Sequence, residues 1–365
     1  MRARLIGAII TMALLSGCGA PVDPPGAPPM NTDLPIGAVE QLPGATTPAS
    51  TDAPVAASTA AAPTSITEPF SCPEQTVTAL TGKDLRTALL EARPGDVIYI
   101  ESGIYPGHFT IKAKGTAARP IYLCGTSDAV LDGRALNTGY VLHLDGAQHW
   151  RLSGFMVRNG QKGIMLDNSK DNALQNLHVE ETGDEAVHLR KASTGNVVQG
   201  LQIRKTGKVH PQFGEGLYVG SAKSNWCEIS NCGPDRSDRN QLLGNKITLT
   251  TAEAIDVKEG TTGGVIAGNT FDGRGLTGDA DSWVDVKGNL WKISSNRGEY
   301  SPKDGFQTHV ILPGWGDRNV FTANTAILAG AKGVGYYLHK PLKNQIGCDN
   351  TQTGAVGGLS NVHCK

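Results

Sequence analysis

The chain is poor in charge and in aromatic rings, and basic residues are not in excess. Of 365 residues, 18% are charged and 5% are aromatic, and 33 Lys plus Arg face 34 Asp plus Glu for a net charge of −1. A nucleic-acid binder would carry a basic excess, so no nucleic-acid partner is expected. No run of about 18 apolar residues occurs, which excludes an ordinary membrane-spanning helix. No C-x-x-C or H-x-x-H pair occurs, which argues against a zinc site. Residues 21 to 69 have no Lys, Arg or aromatic residue, but hold 11 of the 20 prolines, ten alanines and five acids. Such a segment buries too little apolar surface to offset its ordering entropy, so residues 19–69 are expected to form an extended tether. Removing this tether and the two arginines before it leaves 31 basic and 29 acidic residues from position 70 onward, a balance that says little about a partner.

What is present at the start is an address. Arg2 and Arg4 precede a short apolar run from Leu5 to Leu15, followed by Leu15-Ser16-Gly17-Cys18. The n-region and h-region read as a signal peptide over 1–18. The four residues ending at Cys18 resemble the lipobox of bacterial lipoproteins, which implies lipidation of Cys18 and a place in the bacterial cell envelope. Membrane contact is then expected through the anchor alone. Seven cysteines are present; assigning Cys18 to lipid leaves six, and export favours disulfides among them. Six cysteines allow 15 pairings. The local one is expected: Cys72–Cys124, Cys227–Cys232 and Cys348–Cys364.

Glycine is abundant, with 46 residues, and the domain over 70–365 reads as a stack of short strands cut by Gly and Asn. Helical periodicity is confined to Lys83 to Ala92, where Leu85, Ala88, Leu89 and Ala92 share a face. Similar runs then start at Trp150, Ala173 and Val197, and another pair at Ile164 and Val187, spaced 23 or 24 residues apart. That period predicts an all-β, right-handed parallel β-helix of roughly ten coils, each burying inward residues against its neighbours. The short helix would cap the open first edge, and Asn at recurring turns would stack and satisfy its own amide. A β-sandwich is the competing fold, but it would need Asn-Gly hairpins between paired strands.

Pro94-Gly95-Asp96, the turn Gly103-Ile104-Tyr105-Pro106-Gly107, and Gly115-Thr116-Ala117 through Arg119-Pro120-Ile121 carry a resemblance. With the repeat, they make residues 95 to 350 similar to the pectate-lyase-like superfamily of right-handed β-helix proteins. The nearest members are the chondroitinase B-like and lysine-dependent pectate lyase families. The resemblance implies an acidic polysaccharide as partner and Ca²⁺ as a common though not universal cofactor, with no organic one, and the protein is expected to be a monomer.

Aligned strands bring one face into a column: His188 and Arg190, Tyr218, Asp256 and Lys258, Asp285 and Lys287, Gln307 and His309, Tyr337 and His339. Coils about 4.8 Å apart make this one continuous surface. A plain ladder of salt bridges between Asp256, Lys258 and Lys287 is the alternative to a site. A second column, Glu185, Glu215, Glu253 and Asp304, with Asp184 and Asp281 beside it, stacks carboxylates that must be neutralised by the lysines and arginine or by Ca²⁺, for which Glu185, Glu215 and Glu253 are the candidate ligands. Tyr218, Trp283, Gln307, Tyr337 and His339 are candidates to bind sugar, as are the loop residues Trp226 and Trp315. Trp291 is assigned to the wall.

Acid-sugar β-elimination needs a neutralised carboxylate, a base and an acid for the leaving oxygen. In the related lyases a Lys on such a strand is the base. Lys258 is the nearest match, with nearby positive charge expected to lower its pKa. Lys287 or Arg190 would bind the carboxylate, and His188, His309 or Tyr218 would aid proton transfer. The paired-Asp and Arg-Ile-Lys motifs of polygalacturonases, the Arg-x-Pro-x-x-Arg of the main pectate lyases and the Asp-Phe-Ile-Phe-Gly of pectin esterases are absent. The expected function is a surface-anchored polysaccharide lyase acting on a uronate-containing glycan. Two alternatives stand beside it: a glycoside hydrolase using Asp256 and Asp285, and a non-catalytic glycan-binding lipoprotein.

Overall fold

The computed structural model of the chain describes residues 69–277 and 280–365. The expected signal peptide, Cys18 and all but the last residue of the expected tether lie outside the described residues. Three parallel sheets, of 11, 9 and 10 strands, run the length of the domain and form a β-helix. Each strand pairs with its counterpart one coil away, as in Leu152, Leu174 and Val198, which stack in register inside. The register corrects one detail: Ala173 sits over Arg151, and not over Trp150. Inward positions are Val, Ile and Leu, with fully buried Trp150, Phe155 and Trp291 filling the wider parts of the core. Their burial from water is the main favourable term in the fold.

The helix Gly82–Glu91 covers the edge strands Val77–Ala79 and Phe109–Ile111. A capping box starts it: the Thr81 hydroxyl accepts from the Asp84 amide while Asp84 accepts from the Thr81 amide. Leu85 and Leu89 turn inward, and Arg86 lies 5.4 Å from the centre of the Phe109 ring. This protects an edge that would otherwise template association. All three expected disulfides are present, Cys72–Cys124, Cys227–Cys232 and Cys348–Cys364. No helix among the described residues is long and apolar enough to cross a membrane.

The turns carry asparagine ladders. Asn245, Asn269, Asn296, Asn324 and Asn350 stack in successive coils. Asn269 shows the unit. Its Nδ2 donates to the Leu242 carbonyl at 2.9 Å and to Asn296 Oδ1 at 2.8 Å, and its Oδ1 accepts from the Asn245 amide at 2.9 Å. A buried amide so placed is fully bonded, as burial demands. These ladders fix the register that brings the site residues into line.

Candidate functional site

The nine-stranded sheet carries the site. Its strands Val187–Arg190, Leu217–Val219, Ile255–Val257, Val284–Val286, Phe306–Thr308 and Tyr336–Leu338 lie side by side. Their central outward residues align as His188, Tyr218, Asp256, Asp285, Gln307 and Tyr337. The apolar alternates, such as Ile255 and Val257, point into the core and hold each strand at its coil. The column read from the sequence is therefore continuous in register. It is not an open face, however: His188, Asp256, Asp285, Lys287 and Gln307 are all buried. Asp256, Asp285 and Lys287 pair with one another, while His188 and Gln307 bond to neighbouring wall residues.

Asp256 is the hub. One oxygen is 2.5 Å from Lys258 Nζ, and the other accepts from Lys287 Nζ at 2.7 Å. Lys287 also reaches Asp285 at 2.6 Å, and His309 Nδ1 lies 2.8 Å from the same carboxylate. The salt-bridge ladder that stood as the alternative to a site is thus present in these pairs. Burial works against the charge of Lys258, but Asp256 overrides it, with Glu215 and Asp285 adding to the pull, and its pKa is raised. This corrects the expectation that Lys287 and Arg190 would lower it: the carboxylate in contact outweighs the cations one coil away. Asp256 thus favours the charged form of Lys258. Burial also opposes the charge of Asp285, yet Lys287 and His309 hold it ionised and lower its pKa. His309 is raised by its hydrogen bond to Asp285, whereas His339 is lowered by burial and by His309, whose ring is 5.4 Å away.

Tyr218 stands between His188, at 4.3 Å between ring centres, and Lys258, whose Nζ is 5.0 Å from the ring centre. Its hydroxyl makes no hydrogen bond among the described residues. Burial first, then the charges of Asp256 and Glu215, raise its pKa well above that of free tyrosine. The ring nitrogens of His188 face the wall instead: Nε2 bonds the Gly220 carbonyl at 2.9 Å and Nδ1 faces Glu185 at 3.3 Å.

The stacked acids divide. Glu185 is held by Lys162 and His188, and although burial works the other way its pKa is lowered. It therefore leaves the expected metal set, and Asp256 takes its place. One carboxylate oxygen from each of Glu215, Glu253 and Asp256 lies within 4.8 Å of the others. Burial, then Glu185 and Asp256, push Glu215 well up, and its Oε2 is buried with no hydrogen-bond partner. Burial and Asp256 lift Glu253 to about 7. An oxygen-only triad with one orphaned buried atom fits a hard divalent cation such as Ca²⁺, although Lys258 and Lys287 already share Asp256.

The sugar-binding candidates also divide. Trp283 is fully buried, with its Nε1 donating to the Glu299 carbonyl at 3.1 Å. Gly298 and Gly305 make room for the ring, since a Cβ would come within 2.3 Å of it at the first and 2.8 Å at the second. It is a core residue and cannot meet a sugar. Gln307 is buried and donates to Asp304 at 2.9 Å, so it braces the wall. Trp226 is buried too, its Nε1 on the Ser221 carbonyl. Tyr337 and His339 remain half-exposed along the column, and Trp315 is half-exposed on a loop, its ring centre 6.0 Å from the Arg236 guanidinium.

Two loops close over the first coils of the column and leave a pocket of about 320 Å3 lined by Lys162, Glu185, His188, Arg190, Glu215 and Tyr218. Phe213 enters it from one loop and Glu228 from the other. Arg190 donates to Asp167 at 2.7 Å and to the Tyr140 hydroxyl at 3.0 Å, and these partners raise its pKa despite burial. Lys162, Asp167 and Tyr140 were missed in the sequence. Continuing the alignment one coil toward the N-terminus, to the strand Lys162–Asp167, would have found two of them.

These features define a parallel β-helix protein with a charged, loop-covered wall. The chain belongs to the NosD family, described as periplasmic copper-binding protein, whose sequence profile matches residues 109–302. The alginate lyase from Paenibacillus sp. str. FPU-7 is 35% identical, with a TM-score of 0.74, over 79% of this chain and 98% of that one. Pectate lyase Pel9A is 12% identical, with a TM-score of 0.57, over 80% of this chain and 79% of that one. The GH136 lacto-N-biosidase from Eubacterium ramulus is 11% identical, with a TM-score of 0.51, over 78% and 64%. The last two likenesses are of fold alone. No curated protein matches the chain.

Proposed function

We propose that the chain is a polysaccharide lyase that cleaves an alginate-class, uronate-containing glycan by β-elimination. One observation carries the reading: Lys258, held protonated by Asp256, faces Tyr218 on the wall of a chain that is 35% identical to a protein described as an alginate lyase. Arg190 meets the uronate carboxylate in the pocket. Tyr218, reacting as the phenolate, takes the proton from C5 and becomes the phenol, the electrons form the C4–C5 double bond, the C4–O bond breaks, and Lys258 gives its proton to the leaving oxygen. Lys258 thus serves as the acid, not as the base its place in the resemblance implied. His309, oriented by Asp285, lies two coils farther along and positions the chain.

A divalent cation on Glu215, Glu253 and Asp256 would supply positive charge to the carboxylate and offset the two charges that raise Tyr218. The family's description names copper, but an all-oxygen triad suits harder ions, so copper has no part in this reading. Asp256 and Asp285 are bridged by Lys287, which leaves neither as the acid a hydrolase needs. The protein is read as a monomer tethered through lipidated Cys18 to the bacterial envelope, reaching polymer outside; Cys18→Ser should release it from the membrane fraction.

Sodium alginate digested by the protein separates the classes. The reading expects new reducing ends together with the ultraviolet absorbance of unsaturated uronate. Reducing ends without absorbance would make it a hydrolase, and binding with neither would make it a binder.

A further inference from the structure

The ten-stranded sheet, away from the column, presents a different pattern. In one outward row its residues align as His178, Gln202, Lys246, Thr270 and Arg297. A cation-capable side chain occurs at every second coil, with an uncharged polar side chain between. Lys246 and Arg297 are exposed, and Lys246 is in no ion pair among the described residues. The neighbouring row supplies acids, but each has its own arginine: Glu180 with Arg204, Asp272 with Arg274, and Glu299 with Arg297 at 2.7 Å. Arginine has five donors, so these pairs leave N–H groups for a ligand.

The row lies in a trough. A hollow of about 540 Å3 contains His178 and Lys246, and one of about 250 Å3 contains Lys246 and Arg297. The turn Gly273–Gly275 forms one bank by packing against Leu249, so closely that a Cβ on Gly275 would come within 2.6 Å of the Leu249 Cα. Arg274, on that turn, stacks on Tyr300 at 4.8 Å.

We propose that this trough is a second binding site, not a catalytic one, for the same anionic polysaccharide. Coils are about 4.8 Å apart, so cations on alternate coils repeat at about 10 Å. In a ribbon of β-1,4-linked uronate, successive residues face opposite ways, so carboxylates on one side recur every second sugar, at a closely similar spacing. His178, Lys246 and Arg297 can therefore each meet one carboxylate, while Gln202 and Thr270 face hydroxyl groups. The site would hold the polymer on the protein between cuts. It rests on the uronate reading above.

The test uses Lys246→Ala/Arg297→Ala, two exposed changes that leave the core intact. Electrophoretic retardation is measured in gels containing sodium alginate or a neutral glucan, and turnover is measured on a short uronate oligosaccharide and on polymer. The proposal expects alginate to retard the wild type, the double variant to lose most of that retardation, KM on polymer to rise several-fold, and oligosaccharide turnover to stay unchanged. Unchanged retardation beside normal oligosaccharide turnover overturns the second site and leaves the lyase reading standing. Lost retardation in a protein that turns over no uronate keeps the site and overturns the lyase reading. Equal retardation in neutral glucan overturns the role of charge.

Discussion

The asparagine ladder and the acid column are built by the same device and end differently. Both bring like residues of neighbouring coils together through parallel register. An amide carries donors and an acceptor, so Asn245, Asn269 and Asn296 satisfy one another along the stack. A carboxylate carries only acceptors, so Glu215, Glu253 and Asp256 repel, and the fold answers with lysines on Asp256, raised pKa values on the other two and an orphaned oxygen on Glu215. The first stack contributes stability. The second is conflict maintained by the surrounding structure, and such conflict concentrates where chemistry happens.

The comparison breaks most visibly at Lys258. Lys258→Ala should lower turnover of alginate about 10²–10⁴-fold, the usual contribution of one proton-transfer group, with binding of polymer nearly unchanged by titration. Next, Trp283→Ala should cost about 3–5 kcal/mol by denaturant unfolding, as for a buried ring lost from a core. Were Trp283 a sugar platform, the loss would fall on KM and leave stability alone. Asn269→Ala should cost about 1–3 kcal/mol, because the Asn245 amide would lose its buried acceptor.

The acids give a smaller effect with a definite sign. Glu253 is raised in the folded protein to about 7 from its ordinary value of 4.5. The folded state therefore holds this proton more tightly. The stability it contributes is complete below the unfolded value, falls as pH rises between about 4.5 and about 7, and then levels. Glu253→Gln should flatten that slope in urea titrations across the window. The smallest effect is that of the cation. Adding Ca²⁺ should raise the melting temperature of the wild type and a chelator should reverse it, because a ligand of the native state alone stabilises it; Glu215→Gln should not respond. A wild type indifferent to both would leave the triad neutralised by protons and lysines.

Much of this was legible in the sequence. The 23-residue spacing of Ile164 and Val187 led to the coil, because parallel stacking demands a fixed return length, and the two strands do pair in register. The column from His188 to Tyr337 followed from alternation within each strand. What alternation could not supply was cover. Gln307 points outward and is nonetheless buried, and Trp283, at the edge of its strand, turns inward because Gly298 and Gly305 leave space for it. Nor could it supply the protonation of Lys258, since that depends on a 2.5 Å contact with Asp256 rather than on the count of nearby charges.

The central claim is that this contact makes Lys258 the acid for the leaving oxygen. A synthetic uronate carrying a nitrophenoxy group at C4 needs no such acid, because its leaving group departs as a stable anion. Lys258→Ala should therefore recover most of the wild-type rate on this substrate, whereas Tyr218→Phe should remain inactive on both it and the polymer. A Lys258→Ala variant as impaired on the nitrophenoxy substrate as on alginate would contradict the account and return Lys258 to the role of base.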